Sequence, residues 1–288
     1  MKASDYHAIS AFSHGRIEDF IENPALYYGR YISKEIPQSD DTAASLIGTG
    51  LHLLVLEGSS EFDARTAVWK GGFTKKGEPT MSKNSSEYKS FNEESTKSGR
   101  IVLDQEQVDT IQAMANALYA NRTARKALFD WDGPTEHSLL WKQDGWDCKA
   151  RLDKFIPERN LPLDLKSTFA MHYDQVVAQA YNLGYHRKDA WYRKACTACN
   201  GVPPDDFLFV SVRSAPPHSV WTWSFDTEVA IVGEIEIDMA LREIIARMES
   251  GDWEPKESHA VQVARVPSYK YSQAVLDELE RRKDAYST

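Results

Sequence analysis

Lys149 to Thr168 reads KARLDKFIPERNLPLDLKST. Two runs with partial apolar alternation flank Pro157 to Asn160, which is how two strands joined by a tight turn look. If Ile156 and Leu161 bound a four-residue turn, the antiparallel register places Asp153 directly opposite Asp164. Cross-strand neighbours have Cβ atoms about 4.5 to 5.5 Å apart, and like charges at that distance destabilise a sheet unless a cation lies between them. Alternation puts Lys166 on the same face as Asp164, so one face offers two carboxylates and an ammonium. Such a set suits a hard divalent cation and phosphodiester chemistry: the carboxylates hold the ion, and the lysine stabilises charge on the scissile phosphate or positions water. From spacing alone, aspartates solvated beside a turn and a lysine snorkelling at a sheet edge explain the pattern as readily, because D-x-K is a weak signal.

Outward from this stretch, Glu136–Trp141 and Trp146–Ile156 read as strands around Asp144-Gly145, and Asp206–Arg213 and Ser219–Phe225 as two more. Apolar spacing predicts helices over Thr42–Glu57, Asp104–Phe129, Tyr173 to about Ala195, Glu228–Glu249 and from Ser272, with short helices through Ile32. Helices, a mixed sheet and more helices indicate an α/β or α+β sandwich. A single domain over 1–288 is expected, with a helical cap over about 1–40, a core over 41–225 and a helical extension over 226–288.

The 288 residues carry a net charge of -9, which argues against coating nucleic acid through bulk charge. A local patch is the alternative. Lys70 to Arg100 holds seven Lys/Arg against four Glu, among them Lys75, Lys76 and Lys83, in a stretch that reads as a basic, Gly- and Ser-rich loop. No apolar run reaches the ~20 residues of a membrane span, and the N-terminus lacks a secretory h-region, so a cytoplasmic protein is expected. The three cysteines are too few for a disulfide framework. Cys196 and Cys199 form C-x-x-C, but with Cys148 as the one further thiolate two helix-end thiols are favoured over a closed metal site. Trp221 and Trp223 alternate with Phe225, which one packed sheet face explains more simply than base stacking.

GTGLHLLVLEG, EHSLLW, CKARLDKF, LPLDLKST and GYHRKDAWYR occur in the order found in the RecE-like branch of PD-(D/E)xK exonucleases, which includes exodeoxyribonuclease VIII and is related to lambda exonuclease. The chain resembles that branch over roughly Ser10 to Arg213. The resemblance implies a restriction-endonuclease-like core, a central mixed sheet flanked by helices. It further implies a Mg²⁺ site, with Mn²⁺ substituting, made by His52, Asp153, Asp164 and the carbonyl of Leu165; Lys166 as the catalytic lysine; and Glu136 in a supporting acidic role. Without it, His52 on an apolar helix is more often a satisfied core histidine.

By the same resemblance the activity is exonucleolytic attack on duplex DNA ends, 5′ to 3′, in phage-type recombination, with a single-strand annealing protein as partner and a ring-shaped homo-oligomer. Tyr185, Lys188 and Tyr192 lie on the helix that supports the site, where many relatives carry Gln in place of Lys188, four positions before the tyrosine. A non-catalytic DNA-binding module on the same fold and a structure-specific endonuclease are the alternatives. A hydrolase of small phosphate esters is disfavoured for want of a small-molecule motif.

Overall fold

The computed structural model describes residues 1, 3–37, 42–74, 76–254, 273, 275–278 and 282. Lys75 and most of the helix expected from Ser272 lie outside them. At the centre is a five-stranded sheet whose spatial order follows the chain: Thr135–Gln143, Trp146–Ile156, Leu161–Thr168, Leu208–Arg213 and Val220–Trp223. Its middle strand, Leu161–Thr168, runs antiparallel to Trp146–Ile156 and parallel to Leu208–Arg213, so the sheet is mixed. The first hairpin turns at Asp144 and Gly145, both at positive φ (50° and 86°), the geometry that suits the right-handed twist of paired strands.

Alternation on the middle strand divides the core. Leu163 and Leu165 join Val210 and Val212 under Leu51, Met114 and Leu118, from the helices Ala43–His52 and Gln105–Ala120. The opposite face packs Leu152 and Phe209 beneath Trp191 of the helix Tyr185–Asn200, Ile237 and Ile244 of the helix Thr227–Ser250, and Ile17 and Phe20 of the helix His14–Glu22. Each of these fully buried side chains contributes about 1.5 to 3 kcal/mol through water exclusion. Trp191 also donates its indole N–H to the carbonyl of Lys149 at 3.0 Å, which fixes that helix over the sheet. The result is a mixed α+β protein with helices on both faces of a central sheet. Trp223 is buried and stacks on Phe209 with ring centroids 4.5 Å apart, so this aromatic strand is a packed sheet face.

Several elements differ from the expectation, each for a local reason. The helix predicted from Tyr173 is two, Tyr173–Asn182 and Tyr185–Asn200, because Gly184 takes φ 73°, outside the right-handed helix. The helix predicted over Asp104–Phe129 stops at Ala120, where Asn121 turns extended and caps a new turn through Thr123 and Ala124. Lys70 to Arg100 is not one loop: Ser85 caps a helix at Ser86–Lys97, whose Tyr88 and Phe91 pack on Trp69. A parallel pair, Thr66–Trp69 with Ile101–Asp104, was not expected, since four residues are too short for alternation to show.

Three helices are joined by charge. Arg187 donates to both oxygens of Glu18 (2.6 and 2.8 Å) and to Glu236 (2.8 Å), and His186 meets Glu236 at 2.9 Å. Burial opposes the Glu18 charge, but Arg187 and His14 outweigh it and hold the carboxyl at about 2, below an ordinary 4.5. A depressed carboxylate contributes stability above its unfolded value and loses it as pH falls through the folded one. Glu18→Gln is therefore expected to cost about 1 to 3 kcal/mol near neutrality in denaturant titrations, the scale of a charged hydrogen-bond pair. The difference from the wild type should shrink as pH falls from 4.5 towards about 2.

Candidate metal centre

The strand register around the turn is the expected one: Ile156 pairs with Leu161, Phe155 with Pro162 and Lys154 with Leu163. There the ladder ends, one step short of Asp153 and Asp164. The Asp153 carboxylate takes over the role of a backbone acceptor, receiving the Leu165 amide at 2.7 Å. This substitution opens the sheet at the point where a ligand cluster gathers.

His52, at the C-terminal end of the helix Ala43–His52, reaches this opening from the Leu165 side of the sheet. Its Nε2 lies 2.8 Å from the Leu165 carbonyl oxygen and 3.6 Å from Asp153 Oδ2. Glu136 completes the group: one ligand atom each from His52, Glu136 and Asp153 lies within 4.8 Å of the others. Glu136 has φ 49°, a left-handed conformation that a glutamate adopts only where its surroundings impose it, and it stands between the pairs Thr135–Lys154 and His137–Leu152. Burial pushes the Glu136 carboxyl up, Asp153 adds to that, and Arg151 opposes it. Arg151 holds Glu136 Oε2 at 2.6 Å and Ser138 Oγ at 2.8 Å.

Asp164 and Lys166 share the other face of their strand, as alternation requires, but Asp164 stands apart from that cluster. Its carboxylate is fully buried, and each oxygen is claimed by a lysine, Oδ1 by Lys188 and Oδ2 by Lys166. A buried carboxylate next to ammonium groups forms ion pairs, because leaving its charge uncompensated is far costlier. Burial alone would raise Asp164, yet the two lysines hold it well below the usual carboxylate range. Burial lowers Lys166 despite Asp164, whereas Lys188, though burial opposes its charge too, is raised by Asp164. Lys188 sits 5.2 Å over the Tyr192 ring, the neighbour expected at i, i+4, and Lys166 sits 5.4 Å over the Tyr185 ring. Burial pushes the Tyr185 hydroxyl up to about 12, so it stays protonated.

A cavity of about 400 Å³ opens onto the group, lined by His52, Glu136, Arg151, Leu165 and Lys166 together with Gly48 and Thr49 of the first site helix. Lys188 is not part of its wall. A larger cavity of about 800 Å³, bordered by Trp141, Arg193 and Phe225, shares no wall residue with it. Of the basic residues singled out between the strand Thr66–Trp69 and Arg100, Lys83 is tied to Asp104 at 2.8 Å and Lys76 is exposed. Sequence reasoning passed over Arg151. Its signal was its place two residues before Asp153, on the same strand face.

The donors fit a hard divalent ion: carboxylates, a peptide carbonyl and one imidazole. A mixed sheet carrying an acidic residue before its turn and D-L-K after it, with helices on both faces, is the architecture of a PDDEXK-like domain. Residues 11–267 match the family described as "PDDEXK-like domain of unknown function (DUF3799)", and the chain belongs to that family. Among solved structures it is similar to the crystal structure of "Putative exonuclease" from Eubacterium rectale, at 12% identity and a TM-score of 0.61, covering 93% of this chain and 96% of that one. At that identity the likeness speaks to the fold. The crystal structure of SSO0001, at 14% identity over 53% of this chain and 69% of that one, has a TM-score of 0.26, too low to bear on it. No curated protein gives a significant match.

Proposed function

We propose that this protein is a Mg²⁺-dependent DNA exonuclease, with Mn²⁺ able to substitute, that hydrolyses phosphodiesters from duplex ends. The observation carrying this reading is the meeting of His52, Glu136, Asp153 and the Leu165 carbonyl at one opening of the sheet, with Lys166 in the same cavity wall. His52, Asp153 and the Leu165 carbonyl would hold the ion, and Glu136 would act through water or as a further ligand. A bound divalent ion supplies a lowered water pKa and charge neutralisation at the phosphate.

The chain's own groups do the rest. Asp153 joins the two strands through the Leu165 amide, which holds its Oδ2 3.6 Å from His52 Nε2. Lys166 directs its ammonium towards the scissile phosphate and stabilises the charge that grows there. Asp164 orients Lys166. Tyr185 and Tyr192 support the two lysines by their rings. Arg151 restrains Glu136. Lys76 faces solvent, where it is free to meet the DNA backbone.

The five segments that resemble RecE-like exonucleases in order support attack on ends, 5′ to 3′ polarity, a strand-annealing partner, a ring oligomer and a place in phage-type recombination. One assay separates the readings: linear and closed-circular duplex are incubated with Mg²⁺ or with EDTA. Loss of the linear form alone, and only with Mg²⁺, is the expected result. Nicking of the circle would make the protein an endonuclease, and binding without cleavage would make it a DNA-binding module.

A further inference from the structure

Asp164 faces the same opening but does not join the ligand cluster of His52, Glu136 and Asp153, and the reason lies on the facing helix. Lys188 projects from Tyr185–Asn200 onto Asp164 Oδ1, while Lys166 takes Oδ2, so neither oxygen of this fully buried group is left open. Around the opening the formal charges balance. Glu136, Asp153 and Asp164 contribute three negative charges, and Arg151, Lys166 and Lys188 three positive ones, with contacts linking Arg151 to Glu136 and both lysines to Asp164.

We infer that the site takes a single divalent ion and that Lys188 is a built-in cation standing where a second ion would sit. Paired divalent ions in phosphodiester hydrolysis lie about 3.5 to 4 Å apart and share carboxylates; with Glu136 and Asp153 already in the ligand group, Asp164 is the carboxylate left beside Lys166 for a second ion. Its ligand distance, roughly 2.0 to 2.1 Å for Mg²⁺, would bring it into the space of the Lys188 ammonium, a like charge. Lys188 is held there by the Tyr192 ring as well as by Asp164. The clamp also explains why His52, Glu136 and Asp153 gather without Asp164. A helix position where a neutral side chain would leave Oδ1 free thus sets the number of ions.

This inference rests on the metal-dependent nuclease reading. Its test is a titration of the full-length chain with Mn²⁺, reading free ion by electron paramagnetic resonance. The expected stoichiometry is one ion for the wild type and two for Lys188→Gln and Lys188→Met, the second ion binding more weakly. Two ions on the wild type, or one on both folded variants, would overturn it while leaving the nuclease reading intact. No ion on the wild type would remove that reading, and this one with it. Circular dichroism establishes that the variants are folded. Should neither fold, the wild-type count decides alone, one ion upholding the inference and two refuting it.

Discussion

Lys166→Ala is expected to lower the rate of phosphodiester cleavage by about 100- to 1000-fold, the effect of deleting one positioned stabiliser of transition-state charge. Affinity for duplex DNA should change little, because one lysine among several phosphate contacts carries a small share of salt-dependent binding. The fold should survive, since Asp164 keeps Lys188 as its counter-ion when Lys166 is gone. Lys188 is not expected to take over the reaction, because it is held by Asp164 Oδ1 and the Tyr192 ring. Single-turnover cleavage measured beside filter or anisotropy binding separates the two effects. A variant that cuts near the wild-type rate would show that Lys166 is only a partner of Asp164. One that loses binding as strongly as cleavage would make it a docking residue.

Alternation and turn chemistry made the middle of the molecule legible. Asp144-Gly145 marked the hairpin, Pro157 to Asn160 marked the second turn, and the register followed from them. The same alternation put Asp164 and Lys166 on one face. What local pattern does not encode is which groups from distant elements arrive at that face. Lys188 meets Asp164 from a helix that starts anew after Gly184, a consequence of packing rather than of spacing. The left-handed turn of Glu136 is likewise set by its surroundings, among them Arg151 and the open strands, and nothing in EHSLLW announces it. The charge of Lys70 to Arg100 obscured a plain capping signal at Ser85, and the reading as a loop failed there.

The family match and the shape of the sheet make this chain a PDDEXK-like protein; the proposal that it acts as a metal-dependent nuclease stands on Asp153 more than on any other side chain. Asp153 is shared between the scaffold and the candidate ion, and Asp153→Asn separates the two roles. The amide oxygen can still accept from the Leu165 N–H, so the open strand geometry is kept, while the negative charge offered to a cation is removed. Loss of a directly coordinating carboxylate should exceed the 10- to 100-fold typical of outer-shell partners, so Mn²⁺ affinity is expected to fall by about 100-fold or more. The measurement that bears most directly on the central claim is therefore the Mn²⁺ dissociation constant of the wild type and of Asp153→Asn by calorimetry, without DNA. Binding by the wild type that is lost in a folded Asp153→Asn is the result the account predicts; equal affinity in the two proteins would contradict it.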